Sequence, residues 1–448
     1  MRPEVSPAAD LRVLPQSRNT QSVSDAPLRC LWIARYIPYP MDAGAKVYSA
    51  KLAESLAEAG TVVRLLGFGD VDPVPAASRI EWLSVPSEKR SQLSALISRL
   101  PIAAAVDATD AYKSLLDAQL HQEWDAIVLD GYGAGWALQR CLAYCAAHNN
   151  DPGNRTVLVH VSHNHEEVLW RSMASQARSM LPKRLVLWQN YRKVRALERK
   201  IVRNVDLLTT ITDEDAASLG ASLPQKRRLT LTPGHEGWVA NARTITARTP
   251  RRVIIVGSFR WVMKQENLAR FVEIADPVFR RNNIELDVVG DVPDELLVAL
   301  QGRCTATHFH GFVDDIGDCF ARARIAVVPE LIGGGFKLKF LDYIFARVPT
   351  ATLSQAATGL PPQLQQEMLV CEDLPALVAA IVANIDKLDD LNHMQERAFA
   401  CGQLLFRWAE RGQRLRQAIL TLHHERQAAT NLPPVPPARA AHTPSPRG

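Results

Sequence analysis

The chain alternates between short apolar segments and amphipathic stretches, and this alternation constrains its fold more than any other feature. Ten segments have the length and composition of buried strands, and stretches long enough for helices separate most of them. Such alternation predicts parallel sheets with crossover helices and ligands at the carboxyl ends of the strands. The predicted strands are residues 28–34, 62–66, 126–129, 157–161, 207–211, 253–256, 286–289, 307–310, 325–328 and 350–353.

A stretch rich in Thr and Arg divides the strands into two sets of five, and we expect it to link two Rossmann-like domains. A length of 448 residues fits two α/β domains. Both ends of the chain are rich in Pro and small polar residues, which predicts disorder there. The predicted segments are an arm (1–26), the first domain (27–240), the linker (241–252), the second domain (253–400), a final helix (401–427) and a tail (428–448).

Composition excludes several classes of protein. The chain is 47% hydrophobic and 22% charged, as in ordinary globular proteins, and its net charge of +5 is too small to argue for a nucleic-acid partner. Seven dispersed cysteines without a CxxC pair indicate a reducing compartment and no zinc site. Since no apolar run approaches a membrane span and the first residues lack the apolar core of a signal peptide, we expect a cytoplasmic protein.

Three consecutive glycines, residues 333–335, lie between a predicted buried strand and a predicted helix. Glycines let the backbone approach a ligand closely, and a helix start offers unpaired N–H groups to an anion. Lys337 and Lys339 add positive charge where the helix dipole favours acids. The pattern therefore predicts a phosphate or diphosphate site.

This loop, together with the Arg-Val-Pro segment that follows its helix, resembles the donor loop of the GT-B glycosyltransferases, in particular glycosyltransferase family 4. The resemblance implies two Rossmann-like parallel-sheet domains that face a cleft, with a C-terminal helix that crosses back to the first domain. It also implies a nucleotide-sugar co-substrate, with no other cofactor and no metal. The order and spacing of further motifs over about residues 28–420 support the resemblance.

Two of these motifs lie in the first domain. A Pro-rich loop with Gly44 and Lys46 opens the first predicted helix, as in the family. A Ser-His-Asn-His-Glu segment after the fourth strand resembles the His-Asn-x-Glu segment of family 4 and offers His163 to the cleft. We expect His163 to donate a hydrogen bond to the donor sugar or to the acceptor hydroxyl; a structural role is the alternative. His163 and His165 share a face, but no set of acidic partners is evident, so we predict no metal.

The second domain supplies the remaining candidates. By resemblance, Ser258, Arg260 and Lys264 contact the donor diphosphate, and the backbone at Gly311 and Phe312 reads the edge of the nucleobase. Hydroxyl, guanidinium and ammonium groups can neutralise two phosphates without a metal.

The donor loop gives the last group. Lys339 is the expected catalytic cation, and Asp342 stands at the second position of the family's Glu-x7-Glu pair, one methylene shorter. The first position of that pair falls on Gly334, so the expected sugar contact is absent; Glu330 could substitute for it or face solvent. Further donor contacts are expected from Gly334, Gly335, Phe336, Lys337 and Leu338.

Basic residues concentrate in the first domain, in the predicted helix over residues 191–203 and at Lys89 and Arg90. With Leu93, Leu96, Ile97 and Leu100 nearby, they predict either a surface for an anionic membrane or a lipid-diphosphate acceptor, or a solvated helix face with leucines packed in the core.

The sequence predicts a sugar-nucleotide-dependent glycosyltransferase that is metal-independent and, by family resemblance, retains the configuration of the donor. Its expected acceptor is a glycan or a lipid-linked glycan of the cell envelope, with peripheral contact to the inner face of the membrane. Two alternatives stay open, a sugar-nucleotide epimerase with the GT-B fold and a non-catalytic glycosyltransferase-like assembly protein.

Overall fold

The computed structural model describes residues 27–86, 88–148, 156–176, 181–221, 223–313, 315–331 and 335–430. The predicted arm and residues 431–448 of the predicted tail lie outside these ranges, as do Gly333 and Gly334.

The first domain contains a parallel sheet in the order β3-β2-β1-β4-β5-β6-β7. Its central strands are buried on both faces, as the apolar runs of the sequence predict. The strands are β1 (Leu28–Tyr36), β2 (Thr61–Phe68), β3 (Glu81–Ser84), β4 (Ala126–Asp130), β5 (Val157–Val161), β6 (Leu207–Thr210) and β7 (Arg227–Thr230).

The second domain contains a parallel sheet in the order β10-β9-β8-β11-β12-β13. All ten predicted strands are present in the two sheets. The three that were missed, β3, β7 and β13, lie at sheet edges, are only partly buried and have 4, 4 and 3 residues, so each gives a weak strand pattern. The strands are β8 (Arg252–Val256), β9 (Glu285–Val289), β10 (Thr307–Gly311), β11 (Ile325–Val328), β12 (Thr350–Leu353) and β13 (Leu369–Cys371).

Helices cover the faces of both sheets. Thr212 caps the start of α8 (Asp213–Gly220), where it accepts a hydrogen bond from the backbone N–H of Asp215 (3.1 Å). Among the described residues, no helix is both long and apolar enough to cross a membrane. The helices are α1 (Gly44–Glu58), α2 (Gln92–Leu96), α3 (Ile102–Asp107), α4 (Asp110–Gln119), a 3-10 helix (Tyr132–Ala137), α5 (Leu138–His148), α6 (Glu166–Gln176), α7 (Leu181–Asn204), α8 (Asp213–Gly220), α9 (Val262–Arg281), α10 (Asp294–Gln301), α11 (Gly317–Arg322), α12 (Lys339–Phe345), α13 (Pro362–Gln365), α14 (Leu374–Asn384), α15 (Leu388–Leu405) and α16 (Trp408–Thr430).

The C-terminal helix α16 leaves the second domain and packs on the first. At Gly412 it approaches α1 so closely that a β-carbon would lie 1.9 Å from the carbonyl oxygen of Ser55. Further along, Nε2 of His423 donates to the carbonyl oxygen of Asp125 (2.7 Å). The expected crossing helix is confirmed, and it ties the two domains together beside the cleft.

Candidate active site

A cavity of about 500 Å³ opens at the carboxyl edge of the first sheet, as parallel topology predicts. The loop after β1, the start of α1, and the ends of β4 and β5 enclose it. Both first-domain motifs of the sequence contribute to its wall. The lining residues used below are Arg35, Tyr36, Lys46, Asp130, His163 and Asn164.

Within this cavity, His163 is paired with a carboxylate that the sequence analysis missed. Nε2 of His163 lies 2.7 Å from Oδ1 of Asp130, and Nε1 of Trp32 donates to Oδ2 of Asp130 (2.9 Å). Burial alone would lower the pKa of His163, but the charge of Asp130 raises it above its ordinary value. Burial would raise the pKa of Asp130, but His163 and the hydrogen bonds from Trp32 and Ser49 keep it low. The pair is therefore a fixed, partly exposed hydrogen-bonding group.

The other first-domain candidates lie on the same wall. Nζ of Lys46 lies 2.9 Å from Oδ1 of Asp42 and 3.3 Å from the carbonyl oxygen of Pro40. Gly44 faces the second domain, because a β-carbon there would lie 3.3 Å from Cδ1 of Leu338. Gly44 and Leu338, predicted from separate motifs, thus meet across the cleft.

Four predicted residues of the second domain form a nearly buried cluster of charges. Nζ of Lys339 lies 2.7 Å from Oε1 of Glu330. Lys337 donates to the carbonyl oxygen of Gly335 (2.8 Å), and Lys264 approaches from α9. We call Lys264, Lys337, Lys339 and Glu330 the lysine cluster. Glu330 therefore faces the site and not bulk solvent.

The pKa values within the lysine cluster show that burial disfavours its positive charges. Burial lowers the pKa of Lys337 and of Lys264 below the usual range, and Glu330 does not offset this. Burial would raise the pKa of Glu330, but Lys339, Lys337 and Lys264 hold it low. Glu330 thus lies among three ammonium groups, with Asp215 acting on Lys337 and Asp342 on Lys339, and an anionic ligand would stabilise this group of cations further.

A second cavity, of about 380 Å³, lies at the carboxyl edge of the second sheet. Ser258, Phe312 and Asp342 line it, and Gly311 ends the adjacent strand with a φ of 65°. Although Asp342 is open to the cavity, the surrounding protein raises its pKa to about 6, against the opposing effect of Lys339. Trp238, assigned by sequence to the first domain, also lines this cavity.

Arg260 lies outside the buried cluster. Its side chain is 80% exposed and forms an ion pair with Asp291 at the rim of the second cavity. The sequence places Arg260 beside the β8 turn, but the structure directs its side chain to solvent and pairs its Nε with Asp291.

The donor loop touches the first domain directly. Gly335 adopts a φ of 68°, and a β-carbon there would lie 2.3 Å from Oδ1 of Asn164 and 3.4 Å from the carbonyl oxygen of His163. The ring of Phe336 packs 5.8 Å from that of Phe406, just before α16. Gly334, where the family carboxylate is absent, lies outside the described residues.

The sequence analysis found no acidic partners for His165, but the structure brings Glu167 and Glu198 to it, with ligand atoms within 4.8 Å of one another. These carboxylates already have partners. Glu198 accepts the backbone N–H groups of Glu166 and Glu167 (2.8 Å each), and Glu167 pairs with Arg195 (3.1 Å) and Arg199 (2.8 Å). The cluster thus fixes the start of α6 beside the cavity.

Comparisons with known proteins agree with this architecture. Residues 250–387 match the family model described as Glycosyl transferases group 1. A solved structure of WaaG, a glycosyltransferase involved in lipopolysaccharide biosynthesis, is 16% identical with a TM-score of 0.57 and covers 87% of this chain and 99% of its own. The solved structure of TarM is 8% identical with a TM-score of 0.62, and the match covers 89% of this chain and 98% of TarM.

Anabaena HepE, solved in complex with UDP and glucose, is 11% identical with a TM-score of 0.58, and the match covers 88% of this chain and 100% of HepE. A comparison with curated protein sequences finds no significant match. The solved structures show that the chain has the GT-B fold, and the family match lies on the domain that carries the lysine cluster. Residues 250–387 are therefore similar to the group 1 glycosyltransferases, and the chain as a whole shares the GT-B fold. The resemblance to glycosyltransferase family 4 is confirmed.

Proposed function

We propose that this protein transfers a sugar from a nucleotide-sugar donor to a hydroxyl group of a glycan or lipid-linked glycan. The observation that carries the proposal is the lysine cluster, in which three ammonium groups come together around the buried Glu330 at the cleft. When the bond between the sugar and the diphosphate breaks, negative charge grows on the leaving oxygen. Lys264, Lys337 and Lys339 would stabilise that charge without a metal.

The two cavities supply the rest of the proposed reaction. The second cavity, with Ser258, Phe312 and Asp342, would hold the nucleoside. The first cavity would hold the acceptor, with its hydroxyl oriented by His163 and Asp130 as its oxygen bonds to the sugar and its proton passes to the departing diphosphate. Glu330 is the carboxylate that we propose for the sugar contact missing at Gly334. Retention of configuration and action at the inner, cytoplasmic face of the membrane are proposed from the family resemblance.

The first test is thermal unfolding with a panel of nucleoside diphosphates and their sugar conjugates, beginning with UDP because HepE binds it. A ligand that binds only the folded state adds about 2.7 kcal/mol of stability at a hundred times its Kd. We expect one nucleotide to raise the Tm and its sugar conjugate to support transfer. If no nucleotide stabilises the protein, the proposal is wrong.

Turnover distinguishes the alternatives. Binding of a donor without hydrolysis or transfer to any acceptor would favour an assembly protein. Epimerisation of the sugar nucleotide in the absence of an acceptor would favour an epimerase.

A further inference from the structure

Four large apolar side chains lie exposed on neighbouring helices of the first domain. Leu93 and Ile97, one helical turn apart at α2, are 79% and 91% exposed, and Leu185 and Trp188 on α7 are 72% and 39% exposed. The alternative of core packing, left open by the sequence, is wrong for Leu93 and Ile97. Leu100, by contrast, packs against the core of the first domain.

A hydrogen bond joins the two helices, because Nζ of Lys193 on α7 donates to the carbonyl oxygen of Leu96 at the end of α2 (2.8 Å). A second one ties α7 to α3, whose first residue, Ile102, donates its backbone N–H to Oδ1 of Asn190 (2.8 Å). The exposed apolar groups therefore belong to one supported surface, and we call Leu93, Ile97, Leu185 and Trp188 with their surrounding cations the α2–α7 surface.

Cations outnumber acids on this surface. Residues 88–100 and 184–193 contain six cations and one carboxylate, Glu88, and two of the cations pair with acids of the following segment, Lys89 with Asp107 (2.6 Å) and Arg90 with Asp110 (3.4 Å). Apolar groups interleaved with Lys and Arg match a bilayer with anionic headgroups, because the apolar side chains enter the boundary of the acyl chains while the cations contact the headgroups. The cations of these segments are Lys89, Arg90, Arg99, Arg184, Arg192 and Lys193.

The α2–α7 surface begins at the mouth of the first cavity. Nζ of Lys89 donates to the carbonyl oxygen of Arg35 (3.1 Å) and lies 3.5 Å from the ring centroid of Tyr36. Arg35 and Tyr36 both line that cavity. A molecule anchored in a bilayer at this surface would therefore have its headgroup beside the proposed acceptor site.

We propose that the α2–α7 surface docks on an anionic lipid bilayer and presents the first cavity to a lipid-linked acceptor. The docking follows from the exposed apolar groups and their cations alone, whereas the acceptor class rests on the proposed function. Docking holds the cavity at the headgroup layer, where a lipid-linked hydroxyl group is concentrated.

The test is sedimentation of the full chain with vesicles of phosphatidylcholine alone or with phosphatidylglycerol added. We expect binding to the phosphatidylglycerol vesicles that weakens with salt. Because each buried aliphatic side chain contributes about 1.5–3 kcal/mol, the double variant Leu93→Ser, Ile97→Ser should bind at least about tenfold more weakly. Reversal of one charge, Arg192→Glu, should cost about fivefold or more.

Val298→Ser on α10 of the second domain is the matched control, since Val298 is 73% exposed and lies away from the α2–α7 surface. It should bind vesicles as the parent does. Binding of the double variant at parental strength, or no binding to phosphatidylglycerol, would overturn the proposal. So would a dimer in solution that the double variant abolishes, because a second copy would then cover the surface. Stabilisation by a nucleotide does not involve these residues. Whether a nucleotide raises the Tm therefore tests the transferase proposal separately from membrane docking.

Discussion

The lysine cluster of the second domain and the Asp130–His163 pair of the first domain face the same cleft but balance charge differently. In the first domain, one carboxylate and one imidazole satisfy each other at 2.7 Å. In the second, three lysines come together around Glu330, and burial lowers the pKa of two of them. A balanced pair can orient a neutral hydroxyl group, whereas a cluster short of negative charge fits an anion. The comparison therefore agrees with the proposed function, in which acceptor and leaving group lie on opposite sides of the cleft.

The largest effect should come from Lys339→Ala. Removing this ammonium group leaves the leaving diphosphate with less compensating charge, so nucleotide affinity and transfer should each fall by more than roughly tenfold. Calorimetric titration with the stabilising nucleotide and a transfer assay measure the two losses.

Lys387→Ala is the matched control. Lys387 lies just before α15 and contacts Asn384, so its substitution should leave nucleotide affinity and transfer unchanged. In Lys339→Ala, Glu330 loses its ion-pair partner and could itself repel the nucleotide. The double variant Lys339→Ala, Glu330→Gln removes that negative charge as well. If it restores parental affinity, the loss comes from Glu330 and not from the missing cation. If Lys339→Ala binds the nucleotide normally, the lysine cluster is not the anion site, and its contrast with the Asp130–His163 pair has no functional meaning.

A smaller effect should come from Gly335→Ala, which tests whether the first domain shapes the donor loop. The added methyl group meets Oδ1 of Asn164 at 2.3 Å and also strains a backbone with φ of 68°. We expect nucleotide affinity to fall roughly three- to tenfold, or about 1 kcal/mol.

Gly60→Ala isolates the backbone cost, since Gly60 has a φ of 93° and no heavy atom within 4 Å of an added β-carbon. It should lower the Tm and leave nucleotide affinity unchanged. Equal affinities for the two variants would show that contact with Asn164 does not set the donor loop.

The smallest effect concerns the pH dependence of stability through His163. Because its pKa is raised in the folded state, its contribution is complete below about pH 6.5 and is lost as pH rises through the folded value. Asp130, whose pKa is lowered, loses its contribution only as pH falls through its own folded value. The free energy of unfolding of the wild type should therefore exceed that of His163→Gln by about 1 kcal/mol near pH 5–6 and by less near pH 9. A difference that grows with pH would contradict this assignment.

Much of the second domain's site could be predicted because it is local in sequence. Glu330, Lys337, Lys339 and Asp342 lie within one strand-loop-helix unit, so spacing alone brings them together. The first domain's site was harder to predict. Asp130 ends a strand whose apolar run was recognised, but nothing in the run shows that its carboxylate turns toward His163, 33 residues later. An acid at the carboxyl end of a buried parallel strand was the available signal.

The sequence by itself determined the parallel sheets and brought Glu330, Lys337 and Lys339 into one strand-loop-helix unit, because apolar runs act through periodicity and these residues through short spacing. Only the tertiary structure decided which groups face one another across the cleft. It paired Asp130 with His163, set Gly335 against Asn164, turned Arg260 to solvent and left Leu93 and Ile97 uncovered. These outcomes depend on strand order, on the packing of α16 and on the approach of the domains, which link residues far apart in the chain.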